Sequence, residues 1–274
     1  MKLLQCILTE NDCYRTKRTI TPKGVMVHST GANNPTLRRY VQPIAATTGR
    51  TELLALLGVN PNQNDWNRPG TNACVHGFIG KLADGSIATA QTLPWNHRGW
   101  HAGDGTSGKS ANDTHISFEI CEDGLADPAY FQRVYREAVE LTAYLCGQYG
   151  LNPLADGVVI CHSEGYRRGI ASGHADVEHW FPKHGKSMDD FRRDVAAELA
   201  PKPAPEPEPE PEPEKEEDGM TFYKTLDEVP EYYRPAVEKL VEAGALKGTA
   251  EGVLNVSEDF CRTMTVLDRL GKLE

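Results

Sequence analysis

The stretch VVICHSEGYRRGIASGHADVEHWFP, residues 158–182, gathers three histidines, three acids and a cysteine within 25 residues. Its apolar start, GVVIC (157–161), reads as a buried strand, and His162 follows at once. A strand that delivers a histidine at its end and then runs into a polar loop suits three readings: a metal site, a thiol-based catalytic site, or a solvated loop rich in histidine. Cys161 lies inside the strand. Successive strand side chains point to opposite faces, so its thiol turns away from His162 and is demoted as a nucleophile. Choosing between the remaining readings requires the elements upstream.

Those elements alternate between strand and helix signals. GVMVHST (24–30) is a short β-rich run that carries His28. ACVHGFIG (73–80) and GSIATAQ (85–91) read as two strands around the turn signal LADG. HISFEICE (115–122) alternates as a half-buried strand and carries Glu119. Residues 128–150 form a helix: Phe131, Val134, Ala138, Leu141 and Leu145 recur at three- and four-residue steps, and Gly150 is a stop. SMDDFRRDVAAELA (187–200) closes this region as a helix with Ser187 as N-cap. The expected fold class is α/β, a mixed central β-sheet flanked by helices, with His28, Glu119 and His162 each on or just past a strand.

Domain limits follow from composition. PKPAPEPEPEPEPEKEEDG (201–219) alternates Pro and Glu and buries no core, so it reads as an extended spacer. At about 3.1 Å per residue, its length reaches roughly 55 Å. Residues 1–200 are then the catalytic candidate and 220–274 a small helical module. In the latter, 229–249 and 254–273 read as helices, the second capped by Ser257. Of the net charge of −10, residues 201–218 hold −6 (eight acids, two lysines) and 219–274 hold −3 (ten acids, seven bases). The first 200 residues therefore carry about −1, without the clustered basic face of a nucleic-acid binder. No run of eighteen apolar residues suggests membrane insertion. MKLLQCILTENDCYR (1–15) reads as the start of the fold rather than a signal peptide. The seven cysteines, none in CxxC spacing, read as reduced and mostly buried thiols, with a Cys6–Cys13 bridge as an unsupported option.

Two histidines and a carboxylate from rigid elements make a three-ligand set that leaves a fourth position open, the arrangement of catalytic zinc. His28, His162 and Asp176 supply it. HADVEH is not HExxH: its histidines, five apart, do not share a helix face. The ordered set VMVHST, RGWHAG, HISFEICED, ICHSE and GHADVEHWFP over residues 20–195 resembles zinc-dependent N-acetylmuramoyl-L-alanine amidases of the amidase-2 type, related to peptidoglycan recognition proteins. The resemblance implies Zn2+ held by His28, His162 and Asp176. It implies Glu119 as the general base that takes the proton of the attacking water. The basic residue before the third ligand, often lysine in the family, is His174 here, so its help to the oxyanion would depend on its protonation. A tyrosine found in some members is Val75. His101, Trp100 and His76 are expected at the substrate groove, with packing of His101 on Trp100 and a structural His76 as competing readings; His179 reads as structural.

The implied reaction cleaves the amide between N-acetylmuramic acid and L-alanine of the peptidoglycan stem peptide. Residues 220–274 weakly resemble one S-layer-homology repeat, which implies a secondary cell-wall polymer as a further partner, against a dimerisation or stability role. The combination reads as a phage or prophage endolysin, or an autolysin, held in the host cytoplasm before release to the wall. A non-catalytic peptidoglycan-binding protein and an amidase of soluble muropeptides are the rivals. Oligomeric state is not legible.

Overall fold

The computed structural model describes residues 1–200, 221–249 and 253–273. The spacer expected over 201–219 lies outside the described residues. The chain divides into two compact units, Met1–Lys202 and Pro203–Glu274.

In the first unit the elements run β1 (Leu3–Gln5), α1 (Asp12–Arg15), β2 (Gly24–Asn33), α2 (Arg50–Leu57), β3 (Gly77–Lys81), β4 (Ile87–Gln91), β5 (His115–Glu122), α3 (Pro128–Tyr149), β6 (Val159–Cys161), α4 (His162–Arg167) and α5 (Met188–Leu199). The sheet order is β1-β4-β3-β5-β2-β6. Only the β3–β4 hairpin is antiparallel; every other pairing is parallel. This is the mixed, helix-flanked sheet expected. β5 and β2 are interior strands of the sheet; β5 and the first six residues of β2 are buried almost throughout, as their largely apolar runs require.

The long helix α3 starts where its sequence says it should. Asp127 caps the backbone N–H groups of Ala129 and Tyr130, Pro128 occupies the first turn, and Gly150 ends it in the left-handed region at φ 63°. Its apolar stripe, with Phe191 and Val195 of α5, packs on Val25 and Val27 of β2 and on Ile116, Phe118 and Ile120 of β5. Alternation then decides the site. With those residues turned into the core under α3, His28 and Glu119 must face the opposite side of the sheet. The two are register partners across β2 and β5.

Two sequence expectations change. Cys13 and Cys74 form a disulfide across 61 residues, where reduced thiols or a Cys6–Cys13 bridge were expected. The fold brings α1 beside the segment before β3, a proximity no local spacing announces. Cys6, Cys121, Cys146, Cys161 and Cys261 are free and buried. In the second unit the helix expected over 229–249 shrinks to α6 (Arg234–Glu242). Pro230 holds Val229 in extended backbone, Pro235 sits in the first turn of α6, where its missing N–H costs no helical bond, and Gly244, at φ 67°, follows the helix end. With β7 (Phe222–Tyr223), β8 (Val256–Ser257) and α7 (Glu258–Arg269), α6 encloses Val229, Tyr233, Val237, Val256 and Cys261. Ser257 caps α7 through the Phe260 N–H. No helix among the described residues is long and apolar enough to cross a membrane.

Candidate metal centre and active site

The site lies on the face of the sheet opposite α3, where mid-strand residues of β2 and β5 meet the residue that follows β6. His162 opens α4. There the Cys161 backbone N–H donates to the Glu164 carboxylate, closing a capping box, and Arg192 of α5 holds that carboxylate with two bonds of 3.0 and 3.1 Å. Gly165 lets α4 sit directly on β2: a Cβ there would lie 2.7 Å from Met26 Cε and 3.1 Å from Ala171 Cβ. Asp176 sits in the left-handed region at φ 45°, a conformation that Asp tolerates better than most residues.

Three donor atoms converge. Asp176 Oδ2 lies 3.0 Å from both His28 Nδ1 and His162 Nδ1, and the two Nδ1 atoms are 3.2 Å apart. His28 and His162 are buried, at 1% and 4% exposure, so this is no solvated loop. Tetrahedral bonds of about 2.0–2.2 Å would place ligand atoms roughly 3.3 Å from one another, close to what is seen, and two imidazoles with one carboxylate are a donor set suited to zinc. The three residues are thus able to hold a divalent ion. Burial acts to raise the Asp176 carboxyl, but hydrogen bonds from His162 and His28 outweigh it and hold the group well below the usual carboxylate range. Burial likewise lowers His28, against the pull of Asp176. Both shifts favour the deprotonated forms that metal binding needs.

Glu119 is half-buried, and its Oε2 is shielded from solvent with no hydrogen-bond partner. Burial, then the nearby Asp176 and Glu122, push its carboxyl well above the ordinary range. A carboxylate with free lone pairs and a raised affinity for protons is equipped to accept one from water. His174 is exposed, its ring 4.7 Å from that of His162 and its Nδ1 3.2 Å from Ser172 Oγ. His101 comes closer to the triad than a groove-lining role requires: its Nδ1 is 3.1 Å from His28 Nε2.

The other two expected groove residues have packing partners of their own. His76 is fully buried; its Nδ1 accepts the Ser117 N–H at 3.0 Å and its Nε2 donates to the His97 carbonyl at 2.7 Å. It therefore takes the structural role, and burial lowers it to about 4. Trp100 pairs with Cys74 through backbone bonds and packs beside the Cys13–Cys74 bridge, with the Arg98 guanidinium 5.2 Å over its ring. It lines a cavity of about 310 Å³ to which none of the triad residues contributes. His179 bonds Glu122 at 2.9 Å and ties the turn after Asp176 to the end of β5, the structural part expected. Cys161 is fully buried in the core under α3, and burial raises its thiol to about 11, both of which weigh against the thiol reading. Ser172, which touches His162 and His174, went unread because a lone serine in a loop carries no pattern.

No curated protein sequence matches the chain. Solved structures of similar course include the catalytic domain of XlyA (20% identity, 71% of this chain and 99% of that one, TM-score 0.46). Others are the catalytic domain of PlyG (19%, 75% and 99%, 0.47) and AmiA, a Staphylococcus aureus hydrolase in complex with its ligand (21%, 72% and 82%, 0.45). Residues 18–182, more than half of the 274, match the Amidase_2 family, described as N-acetylmuramoyl-L-alanine amidase, and the chain belongs to that family.

Proposed function

We propose that this protein is a peptidoglycan hydrolase that cleaves the amide between the lactyl group of N-acetylmuramic acid and L-alanine, with a zinc ion held by His28, His162 and Asp176. The observation that carries the reading is the convergence of His28 Nδ1, His162 Nδ1 and Asp176 Oδ2 to within 3.0–3.2 Å of one another, beside Glu119 on the adjoining strand. Zinc, when bound, polarises the scissile carbonyl and makes water a stronger acid. Glu119 takes the proton of the attacking water and returns it to the departing amine of alanine. The unpartnered Oε2 supports that role, since no protein donor competes for its lone pairs. His174, exposed beside His162, stabilises the developing oxyanion when its ring is protonated.

The second unit, residues 220–274, serves on this reading to hold the enzyme at the wall through a secondary cell-wall polymer. The Pro-Glu segment tethers it and raises the local substrate concentration. Such an organisation suits a phage or prophage endolysin or an autolysin, made in the host cytoplasm and active outside. The test is incubation of the purified protein with isolated peptidoglycan, with and without a zinc chelator. New alanine amino termini without new reducing sugar ends, lost on chelation, are expected. Wall binding with no new termini of either kind would make it a recognition protein instead.

A further inference from the structure

We propose that His101 and Ser172 are positioning residues that set which ring nitrogen of His28 and of His162 faces the ion, and that the His101–Gly103 segment is a brace shared by both ligands. The inference rests on the metal reading above. It starts from a constraint on imidazole: a neutral ring that coordinates through Nδ1 carries its proton on Nε2. Both ligands turn Nδ1 into the triad, so each must donate from a buried Nε2, and a buried donor needs an acceptor.

Each has one. His28 Nε2 lies 3.1 Å from His101 Nδ1, with the two rings edge to face at 75°. His101 must then accept at Nδ1 and keep its own proton on Nε2. That nitrogen is shielded from solvent and has no hydrogen-bond partner. His162 Nε2 lies 3.3 Å from Ser172 Oγ. The Ser172 hydroxyl donates to the Ala102 carbonyl at 3.2 Å, and the Ser172 backbone N–H donates to the same carbonyl at 2.8 Å. Its own proton committed, the hydroxyl is left to accept. Its remaining lone pair faces His174 Nδ1 at 3.2 Å, so the same oxygen selects the Nδ1–H form of His174 and leaves Nε2 of that ring free.

The acceptors are themselves held. Asn112, fully buried, takes the backbone N–H groups of His101 and Ala102 on one oxygen, at 2.7 and 3.0 Å, and donates to the Gly103 carbonyl at 3.1 Å. Gly103, at φ 63°, leaves no room for a side chain: a Cβ would sit 2.9 Å from Ser172 Oγ. One amide side chain thus fixes the segment that orients a ligand on β2 and a ligand at the end of β6.

The test uses the full chain stripped of metal. Zinc affinity is measured by competition with a chromophoric chelator, the cobalt-loaded absorption spectrum reports ligand geometry, and melting of the metal-free protein reports structure. Asn places an amide oxygen where His101 has Nδ1, whereas Leu removes the acceptor. His101→Leu and Ser172→Ala are expected each to weaken zinc binding by about 10–100-fold and to shift the cobalt bands, with His101→Asn within about threefold of wild type and metal-free melting unchanged. If His101→Leu does not fold, His101→Gln, whose amide reaches only the Nε2 position, takes its place. Wild-type affinity and spectrum in His101→Leu or His101→Gln would overturn the proposal, as would a His101→Asn protein as weak as either. A wild-type chain that binds no zinc at all would fail the metal reading itself, a result distinct from binding that the variants leave unmoved.

Discussion

At the scale of single residues, the proposed chemistry asks some groups to hold the metal and Glu119 to react. Glu119 is not among the three converging atoms, and its Oε2 is unpartnered. Replacing it by Gln breaks no hydrogen bond at Oε2 and removes a carboxylate that burial disfavours. Glu119→Gln is therefore expected to keep stoichiometric zinc, measured by atomic emission, while turnover on muropeptide falls by about 10²–10⁴-fold; loss of the metal would make Glu119 structural. His76 tests burial instead of catalysis. Its folded value is lowered to about 4 by burial, below the ordinary value of 6.5. Between those limits the unfolded chain binds the proton and the folded one does not, so stability falls as pH drops from 6.5 towards 4. The loss approaches about 3 kcal/mol at the acid end, at about 1.4 kcal/mol per unit. His76→Gln lowers stability at neutral pH, since two buried hydrogen bonds are disturbed, but flattens this slope. Denaturant midpoints for both proteins across that range measure it, and parallel slopes would refute the assignment.

At the scale of elements, much of the architecture was legible because burial leaves a period in the sequence. β5 coincides with HISFEICE, and α3 with the stripe from Phe131 to Leu145, because each element buries one or both faces along its whole length. The candidate ligands His28, His162 and Asp176 were legible as a set as well. The strand order that brings them together was not. It depends on β2 pairing with both β5 and β6, and crossover topology leaves no local trace. For the same reason the competing readings of His76 could not be decided from the sequence: neighbours on opposite faces of an extended segment read alike until a core claims one face. The Cys13–Cys74 bridge is the extreme case, joining residues 61 apart. It fastens α1 to the backbone pair of Cys74 and Trp100, one residue from His101. Closing so long a loop stabilises chiefly by restricting the unfolded chain, by about 2–4 kcal/mol. Cys74→Ser, or reduction of the wild type, is expected to lower the denaturant midpoint accordingly, while turnover at low temperature stays within about twofold if the bridge contributes only to stability. An unchanged midpoint would show that the bridge does not form in solution.

At the scale of the whole molecule, the division of labour between the two units is open to a direct experiment. His28, His162, Asp176, Glu119, His174 and the brace all lie within Met1–Lys202. The second unit has its own small core, built on Val229, Tyr233, Val237, Val256 and Cys261. Residues 201–218, which join the catalytic elements and that core in sequence, carry a net charge of −6 and alternate Pro with Glu. A tether of this kind leaves the chemistry at the site untouched and changes only how often an insoluble substrate is met. Deleting residues 201–274 is thus expected to leave turnover of small soluble muropeptides within about twofold while cutting solubilisation of intact walls by about 10²-fold or more, the range in which effective concentration operates. Wall-pelleting of residues 220–274 alone would locate the attachment. Equal losses on soluble and insoluble substrates would instead make the second unit a support for the catalytic fold, and unchanged rates on both would leave the first unit to find the wall by itself.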